Sequence, residues 1–179
     1  LDELAALEEL LTKSERWSEI IDILDQQIAL VDEDAKKEFK LRKSSILQEH
    51  LGDTASAIGV LATVLEHDPL EERAQDALEQ VVRSSDERES AFDVLHPILE
   101  LSEQWSRIYS LLDVLVSERD DRVARIAALH QMGSIAEHSL GDHERAFVCF
   151  GRAVQQDLEH AESMAAVERL ARDHGLWEQ

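Results

Sequence analysis

One cysteine, two prolines, six glycines and 4% aromatic residues leave this sequence short of the marks of secreted domains, membrane proteins and enzymes. Cys149 cannot close a disulfide within the chain; among Phe147, Val148 and Phe150 it reads as a small buried hydrophobe. No apolar run approaches the roughly 20 residues a bilayer-spanning helix needs, and the sequence contains no signal segment. Positive charge is also scarce. With 18 basic against 39 acidic residues, the formal charge is −21, a field that repels phosphate backbones and anionic lipid. Nucleic acid and direct membrane insertion are therefore not expected. A solvated acidic surface accounts for the charge, and a basic partner is the functional alternative.

Catalytic and cofactor signatures are missing too. The sequence contains no Gly-rich phosphate loop, no His-Glu-x-x-His, no Cys pair and no nucleophile-elbow Ser, so neither an enzyme nor a cofactor is expected. The eight histidines are scattered. His138 and His143 flank Asp142 near one turn, but ligands at that spacing seldom converge across a helix break, and no metal site is assigned.

What is present is helix. Ala, Leu, Glu, Gln and Arg dominate, and all lose little side-chain entropy in a helix. The fold class is all-α. Ser14-Glu15-Arg16-Trp17-Ser18 recurs 88 residues later as Ser102-Glu103-Gln104-Trp105-Ser106. Leu51-Gly52-Asp53 recurs 89 residues later as Leu140-Gly141-Asp142. One residue has therefore entered between the landmarks, and the acidic turn at Asp120-Asp121 is where a loop absorbs it cheaply. Apolar spacing predicts about eleven helices joined by short turns, which demands antiparallel neighbours. Ser14, Asp34 and Asp53 are expected to cap the second, third and fourth helices. Pro97 should bend the sixth without dividing it, because Val94, Leu95, Ile98 and Leu99 keep one stripe across it. Trp177 starts an eleventh helix, and the chain reads as a piece of a longer protein. A first block covers about 1–84, a second about 86–172, and a further helix begins over 176–179.

This pattern resembles the tetratricopeptide repeat, a helix pair of about 34 residues. The resemblance is carried by Gly52-Asp53, Ala57, Leu61, Val64 and Pro69, and by Gly141-Asp142, Ala146, Phe150 and Ala153. Ser14 to Leu24 and Ser102 to Leu112 look like a turn-and-Trp variant of the joint. The sixth helix would close one pair and open the next, a five-helix block similar to arrays in very long bacterial repeat proteins. The resemblance implies one repeat array over 1–179, an antiparallel helix-hairpin α-solenoid with a right-handed superhelix. It also implies a protein-interaction scaffold that presents a concave groove to a peptide or partner protein. The alternatives are a structural spacer within a long repeat protein and a module that self-associates end to end.

Family geometry points Phe39, Arg42, Ile46 and His50 into the groove, and Gln131, Ile135 and His138 in the second block. The run from Lys36 to Lys43 is the one basic cluster, and reads either as a balanced helix face or as an acceptor for a carboxylate. The family's carboxylate clamp would place asparagine where Ile46 stands, so that ligand is not expected. Phe39, Arg42 and Lys43 together are the expected contact, an apolar ring beside two cations. Trp17, Trp105 and Trp177 recur at turns and are expected to serve packing, with Trp17 and Trp105 largely buried.

Overall fold

The computed structural model describes residues 2–176, and its regular structure is helical throughout. The elements are α1 (Asp2–Lys13), α2 (Trp17–Leu30), α3 (Glu33–Glu49), α4 (Thr54–His67), α5 (Glu72–Ser84), α6 (Arg88–Leu101), α7 (Trp105–Glu118), α8 (Arg122–Ser134), α9 (His143–Gln156) and α10 (Ala161–His174). A π-helical turn over Ile135–Ser139 carries α8 on to the Leu-Gly-Asp joint. These are ten helices among the described residues; the eleventh, expected at Trp177, lies outside them.

The chain divides into two compact units, residues 1–95 and 96–179. In the first, α1 packs on α2, α2 on α3, α3 on α4 and α4 on α5. In the second, α7 packs on α8, α8 on α9 and α9 on α10. Each unit is thus a row of antiparallel hairpins. The division falls inside α6, which runs as one helix through Pro97. The apolar faces supply the cores. Leu11, Ile20, Ile23, Leu24 and Ile46 form one cluster, with Leu4, Trp17, Ile21 and Phe39 against it. Ala136, Ala146, Phe150, Ala166 and Leu170 form another. Each fully buried Leu or Ile contributes about 1.5–3 kcal/mol of transfer free energy. Small residues occupy the tight crossings, where Ala57, Ala74, Ala136 and Ala146 are fully buried.

Matching spans recur at the offsets read from the sequence. α2 reappears as α7 88 residues on, while α3, α4 and α5 begin again as α8, α9 and α10 89 residues on. The extra residue falls between α7 and α8, where Arg119-Asp120-Asp121 replaces Val31-Asp32. The joints match as well. The Asp53 N–H donates to the Leu47 carbonyl at 2.8 Å, as Asp142 does to Ala136 at 2.7 Å. Likewise Arg16 donates to Leu11 at 3.1 Å and Gln104 to Leu99 at 2.8 Å.

Some caps differ from expectation. Ser14 does not cap α2; its hydroxyl donates back to the Leu10 carbonyl, as Ser102 does to Ile98, so both serines finish the preceding helix. Asp32, not Asp34, caps α3 by accepting from the Ala35 N–H. Asp53 and Asp142 cap α4 and α9 as their sequence position suggests, accepting from Ser56 and Arg145. The α10 cap is the imidazole of His160, whose Nδ1 accepts from the Ser163 N–H.

Every joint that leaves α1, α3, α6, α8 or α10 passes through a left-handed residue: Glu15 (φ 54°), Gly52 (65°), Glu103 (53°), Gly141 (67°) and Gly175 (69°). A Cβ on Gly52 or Gly141 would meet nothing within 4 Å, so glycine is used there for its backbone alone. Gly141→Ala is therefore expected to lower stability by about 1–2 kcal/mol, the left-handed penalty for a residue with a Cβ. Glu103→Gly removes that same penalty and should raise stability by up to about 1 kcal/mol. Urea unfolding of the two variants checks the opposite signs.

Candidate protein-interaction surface

Residues 39, 42, 46 and 50 lie three or four apart, which puts them on one face of α3 and its C-terminal turn. That face leans on the preceding hairpin. Phe39 is half-buried against the Leu11–Ile46 cluster, and Ile46 is 6% exposed within it. Arg42 keeps a 53% exposed head, with its guanidinium 2.9 Å from Glu8 of α1, whose side chain is 5% exposed. Lys43 reaches Asp25 of α2 at 2.5 Å. His50 lies flat on Trp17, with ring centroids 3.6 Å apart and planes 3° from parallel. Trp17 and Trp105 are half-buried rather than largely buried, since each indole starts a helix at the rim of the joint.

The basic cluster is mostly answered from within. Lys36 pairs with Glu33 at 2.6 Å. Lys37 bridges Asp68 at 3.0 Å and Glu71 at 2.8 Å, which raises its pKa. Arg73 grips Glu38 through its two terminal guanidinium nitrogens and holds Glu71 through Nε. The Glu71 carboxyl falls to about 2, first through its hydrogen bond to Arg73 and then through Lys37. Lys40 is the exception. Among the described residues it has no ion pair, and it stands between a cleft of about 330 Å³ beside Lys37 and His67 and one of about 380 Å³ beside Ile28 and Val60. Sequence reasoning passed over Lys40 because pairing across helices leaves no local signal.

In the second unit Gln131, Ile135 and His138 come together on one wall of a pocket of about 250 Å³ with Trp105 and His96. The Gln131 Nε2 lies 3.0 Å from the His96 Nε2. Ile135 is 6% exposed and belongs to the core, while His138 is 68% exposed and 4.0 Å from Glu137. Gln131 and His96 stand where Arg42 and Glu8 stand in the first unit, so one contact is kept with its charge removed. Elsewhere in this unit Cys149 is buried as expected, its thiol pushed up by burial, with the Tyr109 hydroxyl 3.2 Å away.

Residues 3–38, spanning α1, α2 and the start of α3, match the family model of the tetratricopeptide repeat. The match covers one hairpin and the start of the next, and the hairpin packing of both units is consistent with it. The chain is a tetratricopeptide-like helical array. No curated protein sequence matches it. Tetratricopeptide repeats are generally protein–protein interaction modules and typically non-catalytic. None of the described helices in the array is long and apolar enough to cross a membrane. No group of three or more His, Cys, Asp or Glu side chains among the described residues is placed to hold a metal ion.

Proposed function

We propose that the array is a scaffold that holds a peptide or partner protein along its first-of-pair helices. Arg42, Lys43, His50 and the edge of Phe39 would make the contacts in the first unit, and Gln131 and His138 those in the second. Ile46 and Ile135 would form the apolar floor beneath them. The repeating block of five helices, about 1–84 and 86–172, belongs to the same reading. The observation that carries it is the α3 face, where a half-exposed guanidinium is braced by Glu8 beside a buried apolar base, with His50 stacked on Trp17 further along the same face. A rigid base with an exposed planar cation suits bidentate contact with a carboxylate. The spacer reading keeps one specific support: Lys36, Lys37, Arg42 and Lys43 already have carboxylates within the chain.

Replacing Arg42 with Glu is a poor test, because it would set a second carboxylate against the 5% exposed Glu8. The second unit supplies a better one. E8H/R42Q/K43M transplants its residues His96, Gln131 and Met132, and melting should stay within about 1 kcal/mol of the parent. Affinity capture from the native source with both proteins is then compared by mass spectrometry. The scaffold reading expects at least one partner that the parent retains and the triple variant loses. Identical captured sets would remove the α3 face from the site, and no partner for either protein would favour the spacer.

A further inference from the structure

We propose that the pocket beside Trp105 takes an arginine side chain of a partner polypeptide, stacked on the indole and paired with Glu100. The inference rests on the scaffold reading and names the side-chain chemistry that the second unit would recognise. It begins from a difference between equivalent joints. In the first unit the imidazole of His50 covers the Trp17 ring at 3.6 Å, nearly parallel to it. The matched backbone hydrogen bonds place Trp105 where Trp17 stands and Ser139 where His50 stands. A hydroxymethyl group cannot cover an indole. No described aromatic or imidazole ring stacks on Trp105, and a pocket of about 250 Å³ opens beside it.

The walls select the occupant. His96, Gln131, His138 and Ser139 present polar atoms, which disfavours a purely aliphatic side chain. Glu100 brings a carboxylate with no ion pair among the described residues; Thr12 stands at the equivalent place in the first unit. A phenyl or phenol ring would stack but leave Glu100 unanswered. A lysine would answer Glu100 but has no flat face to lay on the ring. A guanidinium does both, being planar, permanently charged and well suited to indole faces. The stacked imidazole on Trp17 shows that the joint accepts a flat nitrogen-bearing group on that face. The formal charge of −21 draws cations toward the array and supports a basic partner over an acidic one here.

The test uses the full chain and three blocked tripeptides, Gly-Arg-Gly, Gly-Lys-Gly and Gly-citrulline-Gly, followed through the tryptophan indole N–H resonances. The arginine peptide should move the Trp105 resonance with a dissociation constant on the order of 1 mM and leave that of Trp17 in place. Lysine, which lacks the plane, and citrulline, which lacks the charge, should each bind roughly tenfold more weakly. Ser139→His supplies the ring that covers Trp17 in the other unit and should abolish the shift. Glu100→Gln, at an exposed position that the fold does not depend on, should weaken arginine about tenfold and leave citrulline unchanged. Equal response to lysine and arginine, survival of the shift in Ser139→His, or no shift with the parent would each overturn the assignment. None of these outcomes touches the α3 face, so the scaffold reading stands or falls separately on partner retention.

Discussion

Substituting Gly133 with alanine is expected to destabilise the second unit by about 2 kcal/mol, although alanine is ordinarily the better helix former. A Cβ at position 133 would stand 2.7 Å from both Cε1 and Cζ of the Phe150 ring, well inside contact distance. Phe150 is 3% exposed and is flanked edge-on by His130 at 5.2 Å between ring centroids, so the ring has little room to retreat. The helix-propensity gain of alanine over glycine, about 1 kcal/mol, is smaller than the overpacking it provokes. In the first unit Ser44 and Leu61 occupy the same two places, 89 residues earlier, and both are buried. A smaller partner there leaves space for a side chain with a Cβ. Gly133→Ser alone should therefore be damaging, and adding Phe150→Leu should recover most of the loss. Thermal melting should fall by roughly 4–8 °C for Gly133→Ala in a chain of this size. A double-mutant cycle that returned simple additivity would show that the two positions do not constrain each other.

That pair also shows where the sequence was readable and where it was not. Hairpin order, the Leu-Gly-Asp joints and the place of the inserted residue follow from local signals: apolar spacing, a turn glycine and a capping aspartate. Those signals act over a few residues and survive in a single sequence. Ser14 misled because a serine after an apolar run serves equally as the last residue of one helix or the cap of the next. Glu15 and Glu103 escaped notice because a left-handed glutamate has no composition cue; the joint's hydrogen bonds impose that backbone, as the shared geometry with Gly52 shows. The α3 face was legible as a stripe but not as a surface. Ile46 is in the core, Lys43 reaches Asp25, and Arg42 is braced by Glu8, and each fact depends on partners 18 to 35 residues away in sequence. The pocket at Trp105 had a sequence signal, the replacement of His50 by Ser139. Its meaning needed the ring stack that only the structure supplies.

Arginine 169 should prove the costliest single charge to remove. Its guanidinium reaches both carboxylate oxygens of Glu137, at 2.5 and 2.8 Å, and so ties α10 to the π turn after α8. The Glu137 side chain is only 8% exposed, so Arg169→Ala would leave a nearly buried carboxylate without its guanidinium partner. Orphaning a buried charge costs about 3–5 kcal/mol; with Arg169 itself 45% exposed, a loss of about 2–3 kcal/mol is expected near neutral pH. The pH dependence separates this from lost packing of the arginine stem. Arg169 holds the Glu137 carboxyl below its ordinary value of 4.5, so the pair's stabilisation is present above that pH and fades as pH falls beneath it. In Arg169→Ala the guanidinium that lowers that pKa is gone while the burial that raises it remains, so the variant relieves its strain by taking up a proton more readily than the parent. The deficit should therefore be full at about pH 7 and shrink to below about 1 kcal/mol at an acid pH where both proteins have protonated Glu137. Glu137→Leu with Arg169→Leu, which removes both charges, should lie much closer to the parent than Arg169→Ala at neutral pH. Urea unfolding at the two pH values decides it: equal deficits at both would assign Arg169 to packing, and a deficit confined to the higher pH would assign it to the buried carboxylate.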